Sequence, residues 1–106
     1  MQFTLESHGA SATFDTFGGE LTGYQMNGIE YVWHGDPAYW ASHAPVLFPV
    51  VGALKNGSVI IEGKEYKMPK HGIARKREFE LTDQTPDSVT FTLKANEESI
   101  LMYPST

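Results

Sequence analysis

An all-β fold of antiparallel strands joined by short turns is predicted by three features of these 106 residues. Apolar and polar residues alternate with a period of two along most of the chain, the pattern of strands with one covered and one wet face. No stretch sustains the 3.6-residue period of an amphipathic helix. Turn-forming residues divide the alternating runs into strand-length pieces, about eight in all, which points to a sandwich or part of one.

Phe3, Leu5 and Ser7 share one face of a first strand, and His8-Gly9 turns the chain into a second strand carrying Ala12 and Phe14. Residues 20–26 and 29–33 flank Asn27-Gly28, the dipeptide best suited to a type I′ turn because both central positions must tolerate positive φ. Asp36-Pro37-Ala38-Tyr39-Trp40 reads as one helical turn, with Asp36 as N-cap and Pro37 where a missing amide hydrogen costs nothing. An apolar segment broken by Pro45, Pro49 and Gly52 follows. Residues 58–62 and 65–68 are then expected to pair around Gly63-Lys64, and residues 78–82 and 89–94 around Thr85-Pro86-Asp87-Ser88. Asn96-Glu97-Glu98-Ser99 caps a short helix that Tyr103-Pro104 stops.

The length suits a single domain over residues 1–106, one that buries roughly two thirds of the surface its unfolded chain exposes. Apolar residues at 41% and charged residues at 20% argue against intrinsic disorder. The net charge of -5 offers no basic field to a phosphate backbone, so nucleic acid is not an expected partner. With no cysteine, stability must come from packing, which is compatible with a cytoplasmic location. The N-terminus lacks a basic region followed by an apolar stretch, and the longest apolar run is interrupted by proline and glycine, so neither signal peptide nor membrane span is expected. His8, His34 and His43 lack metal-ligand spacing, and there is no Gly-x-Ser-x-Gly elbow or phosphate-cradling loop. No metal and no cofactor are expected.

Several segments fall in an order and spacing that is specific when taken together. They are Gly18-Gly19-Glu20-Leu21, Asn27-Gly28-Ile29-Glu30-Tyr31-Val32-Trp33 and Asp36-Pro37-Ala38-Tyr39-Trp40, then His43-Ala44-Pro45-Val46-Leu47-Phe48-Pro49, Gly63-Lys64-Glu65-Tyr66 and His71-Gly72-Ile73-Ala74-Arg75. With them the chain resembles the N-terminal part of the aldose 1-epimerase (galactose mutarotase-like) family, most closely its bacterial LacX-like branch. The resemblance implies part of a β-supersandwich with a sugar in an open groove. It also implies interconversion of the α and β anomers of a hexose, in which a base removes the anomeric hydroxyl proton while an acid protonates the ring oxygen. In the family these are a Glu near the C-terminus and a central His, beyond the part represented here. The His-Gly histidine, here His71, is implied to be an auxiliary group near the ring oxygen. Arg75 matches the arginine that phosphosugar-acting members use for phosphate. At the position after Gly52, where such proteins commonly place a sugar-binding Arg, this chain has Ala53, and a methyl group cannot replace a guanidinium's hydrogen bonds.

Plainer roles compete. A lone loop histidine such as His71 is more often a surface residue than a catalytic one, and Arg75 has a simple alternative in a surface salt bridge to Glu78 or Glu80. Trp33, Tyr39, Trp40 and Phe48 offer stacking faces for a sugar, although core packing is the commoner use of such rings. Two functions are therefore carried forward. One is an aldose 1-epimerase-like protein, truncated and inactive alone, that binds a hexose or hexose phosphate weakly. The other is a non-catalytic β module for weak carbohydrate binding or structural homo-oligomerisation. A homodimer is expected, since strands whose partners lie later in the family's chains present open edges and apolar faces, with Val50, Val51, Ile60 and Phe91 among the exposed residues.

Overall fold

A computed structural model describes residues 1–104. Ser105 and Thr106, which the single-domain expectation includes, lie outside the described residues. The architecture is antiparallel, as predicted. A four-stranded sheet runs in sequence order through β1 (Gln2–Ser7), β2 (Ala10–Asp15), β3 (Glu20–Met26) and β4 (Ile29–Glu30). Two ribbons follow, β5 (Ser58–Ile61) with β6 (Lys64–Lys67) and β7 (Glu80–Thr85) with β8 (Ser88–Thr92), and then the helix α1 (Glu97–Met102).

Three of the five hairpins among the described residues close through two residues that both have positive φ, as a type I′ turn requires: His8-Gly9 at 50° and 82°, Asn27-Gly28 at 53° and 76°, and Glu62-Gly63 at 49° and 82°. The third turn sits one residue earlier than Gly63-Lys64, so Lys64 joins β6 and pairs with Ile61. The β7–β8 hairpin turns at the expected residues, where Thr85 Oγ1 lies 3.1 Å from Asp87 Oδ1 and 2.6 Å from Ser88 Oγ. Its strands begin and end later and earlier, respectively, than 78–82 and 89–94, because Glu78 is taken by an isolated bridge to Phe17.

Two strands carry an extra residue, and in each it is a threonine. Thr22 interrupts the β2–β3 register and donates its hydroxyl to the Thr13 carbonyl at 3.2 Å. Thr82 does the same in β7, donating to Thr90 O at 3.3 Å. A short side chain with a donor thereby engages a carbonyl beside the locally disrupted ladder.

The strand expected over residues 29–33 stops at Glu30. The cause is Glu30 itself, whose Oε2 accepts from the backbone N–H groups of Tyr24 at 2.8 Å, Tyr31 at 2.9 Å and Val32 at 3.3 Å. The carboxylate thus takes the Tyr24 N–H that a longer ladder would have used, while Tyr31 N–H also donates across to Tyr24 O at 2.8 Å, and this gathering of N–H groups, Tyr24's foremost, lowers the Glu30 pKa. Beyond it Asp36 caps a single turn, its Oδ1 accepting from Ala38 N–H at 2.9 Å while its carbonyl accepts from Tyr39 and Trp40.

The covered interior is thin. Met68 and Ala74 are the buried apolar side chains among the described residues, and no large side chain is fully enclosed. Phe91, expected at an open face, instead packs its ring against Phe3 and Phe14 at centroid distances of 5.9 and 6.3 Å, tying the β7–β8 ribbon to the sheet. Val50 is likewise half-buried, whereas Val51 and Ile60 remain open, with 77% and 73% of their surface exposed. No helix among the described residues is long and apolar enough to cross a membrane.

Candidate functional site

The segments that carried the family resemblance are far apart in sequence, and the structure sews them together through backbone groups. The Gly18-Gly19 connection between β2 and β3 is the first knot: Gly18 N–H donates to Arg77 O at 2.8 Å, and Gly18 O accepts from Val46 N–H at 3.0 Å. A Cβ on Gly18 would stand 2.9 Å from the Arg75 carbonyl oxygen, so this approach requires glycine. Next along β3, Glu20 Oε1 accepts from His43 N–H and lies 3.5 Å from His43 Nδ1, while Leu21 forms a bridge with Ala44.

The second knot holds His71. Its N–H donates to Gly52 O at 2.8 Å and its Nδ1 accepts from Gly52 N–H at 2.9 Å, so residue 52 is gripped at both ends by one histidine. This grip needs His71 at φ 65°, an uncommon conformation for a non-glycine residue. Immediately after it, Gly72 lies so close to Phe48 that an added Cβ would meet the Phe48 carbonyl oxygen at 2.3 Å. That oxygen accepts from both Ile73 N–H at 2.9 Å and Ala74 N–H at 3.2 Å.

The chemical consequence concerns the imidazole. A nitrogen that accepts from an amide carries no proton, so the neutral ring bears its hydrogen on Nε2. His71 is half-buried, and with Nδ1 held by Gly52 its Nε2–H is the donor left for a ligand. Ala53 follows directly, at the edge of the same clamp.

Arg75 occupies a different place. It stands on the 3₁₀ turn Ala74–Lys76 and lines a cavity of about 340 Å³ together with Asp15, Glu20, Thr22, His43 and Lys76. The expected salt bridges to Glu78 or Glu80 do not form among the described residues: Glu78 lies 3.9 Å from the N-terminal ammonium and Glu80 3.8 Å from Lys94 Nζ. Arg75 Nε is buried without an acceptor. His71 does not line this cavity. The structure thus bonds His71 to Gly52 and places Arg75 in the lining of a cavity shared with Glu20 and His43, two separate positions.

Sequence reasoning set His43 aside, since it looked only for metal spacing. The signal that would have found it is the spacing of Glu20 and His43 within two of the resemblance segments. A second unforeseen feature is a small hollow of about 170 Å³ beside Phe48, lined by Ile73, Arg77, Lys94 and Tyr103, where the Tyr103 ring meets Phe48 edge-on at 6.0 Å. Among the described residues no group of three His, Asp or Glu side chains is placed to hold a metal ion.

Comparison with known proteins agrees with the motifs. The model of the family described as Aldose 1-epimerase matches residues 1–106. The chain is 38% identical over 109 residues to the plasmid-encoded LacX protein of Lactococcus lactis subsp. lactis, covering 97% of this chain and 36% of that one. Its structure superimposes with a TM-score of 0.92 on a galactose mutarotase related enzyme from Lactobacillus acidophilus, at 39% identity, covering 98% of this chain and 35% of that one. A galactose mutarotase-like protein from Lactobacillus casei ATCC 334 matches with the same TM-score at 34% identity, with 98% and 36% covered. The chain therefore spans a little over one third of the length of the relatives it matches.

Proposed function

The chain belongs to the aldose 1-epimerase family, and on that premise we propose that its 106 residues supply a sugar-holding framework rather than the proton-transfer pair. The observation that carries this is the double hydrogen bond between His71 and Gly52, which engages Nδ1 and leaves the neutral imidazole's hydrogen on Nε2. Such a donor suits a pyranose ring oxygen: it binds and polarises the acceptor without having to release its proton. Anomer interconversion further needs a base at the anomeric hydroxyl and an acid that gives its proton to the ring oxygen, after which the open aldehyde rotates and recloses. We assign neither role to a residue of this chain, so these 106 residues alone should not accelerate mutarotation.

The ligand is a hexose or hexose phosphate, held weakly because Ala53 leaves sugar hydroxyls without the guanidinium that relatives commonly supply there. Arg75 is the group for an anion, should the sugar carry one. A single domain over 1–106, a cytoplasmic location and a homodimer complete the proposal.

An NMR titration with galactose tests the site. Amide shifts should centre on residues 48–53 and 71–75, with a dissociation constant no better than about millimolar, near −4 kcal/mol. The Ala53→Arg variant should bind about tenfold more tightly, the worth of one charge-assisted hydrogen bond, and His71→Ala should lose binding. Shifts confined to the Asn27-Gly28 or Thr85–Ser88 turns, or an Ala53→Arg variant with unchanged affinity, would defeat the assignment. Polarimetry of fresh α-galactose supplies the second arm: a protein-dependent acceleration that survives repurification would show that the chain carries its own acid and base.

A further inference from the structure

We infer that Asn27 is a site of spontaneous backbone modification, the asparagine of this chain set to cyclise onto its neighbour and hydrolyse to aspartate and isoaspartate. The chain has three asparagines, Asn27, Asn56 and Asn96, and the first two precede glycine. Glycine has no side chain to hinder attack by its nitrogen on the preceding carboxamide. Sequence therefore ranks Asn27 and Asn56 alike. Exposure does not separate them, since both dipeptides are open to solvent. Nor does space, since a Cβ built on Gly28 or on Gly57 meets nothing within 4 Å.

The backbone amides separate them. Cyclisation needs the nitrogen of the following residue free to lose its proton and swing onto Cγ of the asparagine. Gly57 N–H donates to Leu54 O at 2.9 Å in the 3₁₀ turn Lys55–Gly57, and Gly57 O accepts from Met68 N–H at 3.0 Å, so residue 57 is tied at both ends. Gly28 N–H has no hydrogen-bond partner among the described residues. It sits at the tip of the β3–β4 turn, with Asn27 before it at φ 53°. Asn96 is restrained in another way: its Oδ1 accepts from Ser99 N–H at 2.8 Å as the cap of α1, and the next residue, Glu97, carries a side chain.

The reaction conserves its atoms and consumes only water. Gly28 N forms a bond to Asn27 Cγ, the Cγ–Nδ2 bond breaks, and Nδ2 leaves as ammonia, taking up the proton that Gly28 N gives up. Water then opens the cyclic imide. Cleavage between Gly28 N and Cγ restores the ordinary main chain with an aspartate, whereas cleavage between Gly28 N and the residue 27 carbonyl carbon leaves the main chain running through Cβ and Cγ as isoaspartate. Either product adds a negative charge to a chain already at -5, in a hollow that Asn27 lines together with Glu6 and His8. Isoaspartate also adds a methylene to the main chain of a loop whose geometry suits two ordinary residues. The ladder that loop closes is only Gln25 with Glu30 and Met26 with Ile29. The isoaspartyl form should therefore release the Tyr31 N–H from Tyr24 O, a bond of 2.8 Å in the unmodified chain.

The test ages the full chain in mildly alkaline buffer and follows the three asparagine-containing peptides by mass spectrometry, with fragmentation that tells isoaspartate from aspartate. Asn27 should convert at least about tenfold faster than Asn56, the factor supplied by one hydrogen bond that must break before cyclisation, and Asn96 should be slowest. Equal rates at Asn27 and Asn56, or a faster Asn56, would overturn the inference. The same incubation in guanidinium chloride removes the fold, and there the Asn27 and Asn56 rates should converge. A tenfold difference that persisted in denaturant would trace the preference to flanking residues and overturn its structural basis. The isoaspartyl form, separated by anion exchange, supplies the last readout: its Tyr31 amide should exchange faster than in the unmodified chain, and unchanged exchange would overturn the consequence drawn for the β3–β4 hairpin. No sugar enters the assay, so its failure and the failure of the sugar-site proposal are separate results.

Discussion

Gly72 shows how much of the candidate site depends on one missing atom. The parallel contact between Phe48 and Gly72 exists because the backbones touch, and an added Cβ would lie 2.3 Å from Phe48 O at a φ of 76°. Gly72→Ala must therefore push the two segments apart and also force an alanine into the left-handed region. We expect a loss of about 2 kcal/mol or more, read as a lower urea midpoint, together with loss of the His71–Gly52 hydrogen bonds. A second residue-scale consequence concerns acid. Glu30 is ionised below the usual carboxylate range because backbone N–H groups, Tyr24's first, bond to its charged form. A depressed folded-state pKa contributes stability above the unfolded value and loses it as pH falls through the folded one. The end of the β3–β4 hairpin should therefore fray as pH drops below the carboxylate range, and Glu30→Gln should abolish that pH dependence of amide exchange at Tyr24, Tyr31 and Val32. An identical acid profile in the variant would assign the fraying to another group. Glu30 is an exposed residue, so the effect is local rather than global.

At the level of elements, sequence alone revealed four of the five hairpins but not the pairing of β2 with β3, and not always where the strands turn. Asn27-Gly28 was readable because asparagine and glycine both tolerate positive φ, whereas Glu62-Gly63 was not, because glutamate has no such preference and Lys64 was equally acceptable beside Gly63. The mismatch is itself usable. Glu62 sits at φ 49°, so Glu62→Asn should relieve local strain and raise stability by about 0.5–1 kcal/mol, measured by chemical denaturation. A destabilised variant would mean that the Glu62 side chain has a role the backbone does not reveal. The shortened strand after Ile29 was illegible for a different reason: alternation continues through Trp33, and nothing local announces that a glutamate will fold back onto three amides. The helix was legible in full, since Asn96 and Ser99 exchange side-chain and backbone hydrogen bonds at 2.8 Å each, as their spacing allows. The clamp around His71 was legible only through resemblance. Periodicity says nothing about a contact between residues 52 and 71, and the Glu20–His43 contact escaped notice even with the motifs in view.

The molecule as a whole is a slab, with extents of 52 × 34 × 18 Å. Its radius of gyration is 16.3 Å, where a compact chain of 106 residues would have about 13 Å. An 18 Å thickness leaves room for little more than two packed sheets, which stack about 10 Å apart, and the covered interior is correspondingly small. Burial of apolar surface is the main term opposing chain entropy, and no disulfide is available to constrain the unfolded state. The isolated chain should accordingly gain stability wherever it can cover itself, and association links that gain to concentration. We expect a homodimer by light scattering at tens of micromolar, with a midpoint of thermal unfolding that rises by several degrees between 5 and 100 micromolar, roughly as mass action requires. A double variant, Tyr31→Lys with Ile60→Lys, charges two side chains that are 62% and 73% exposed, and it should flatten that dependence if either takes part in the association. A monomer whose sharp unfolding is the same at both concentrations would show instead that the thin interior is sufficient by itself, and that the exposed aromatic residues contribute nothing to holding this fold.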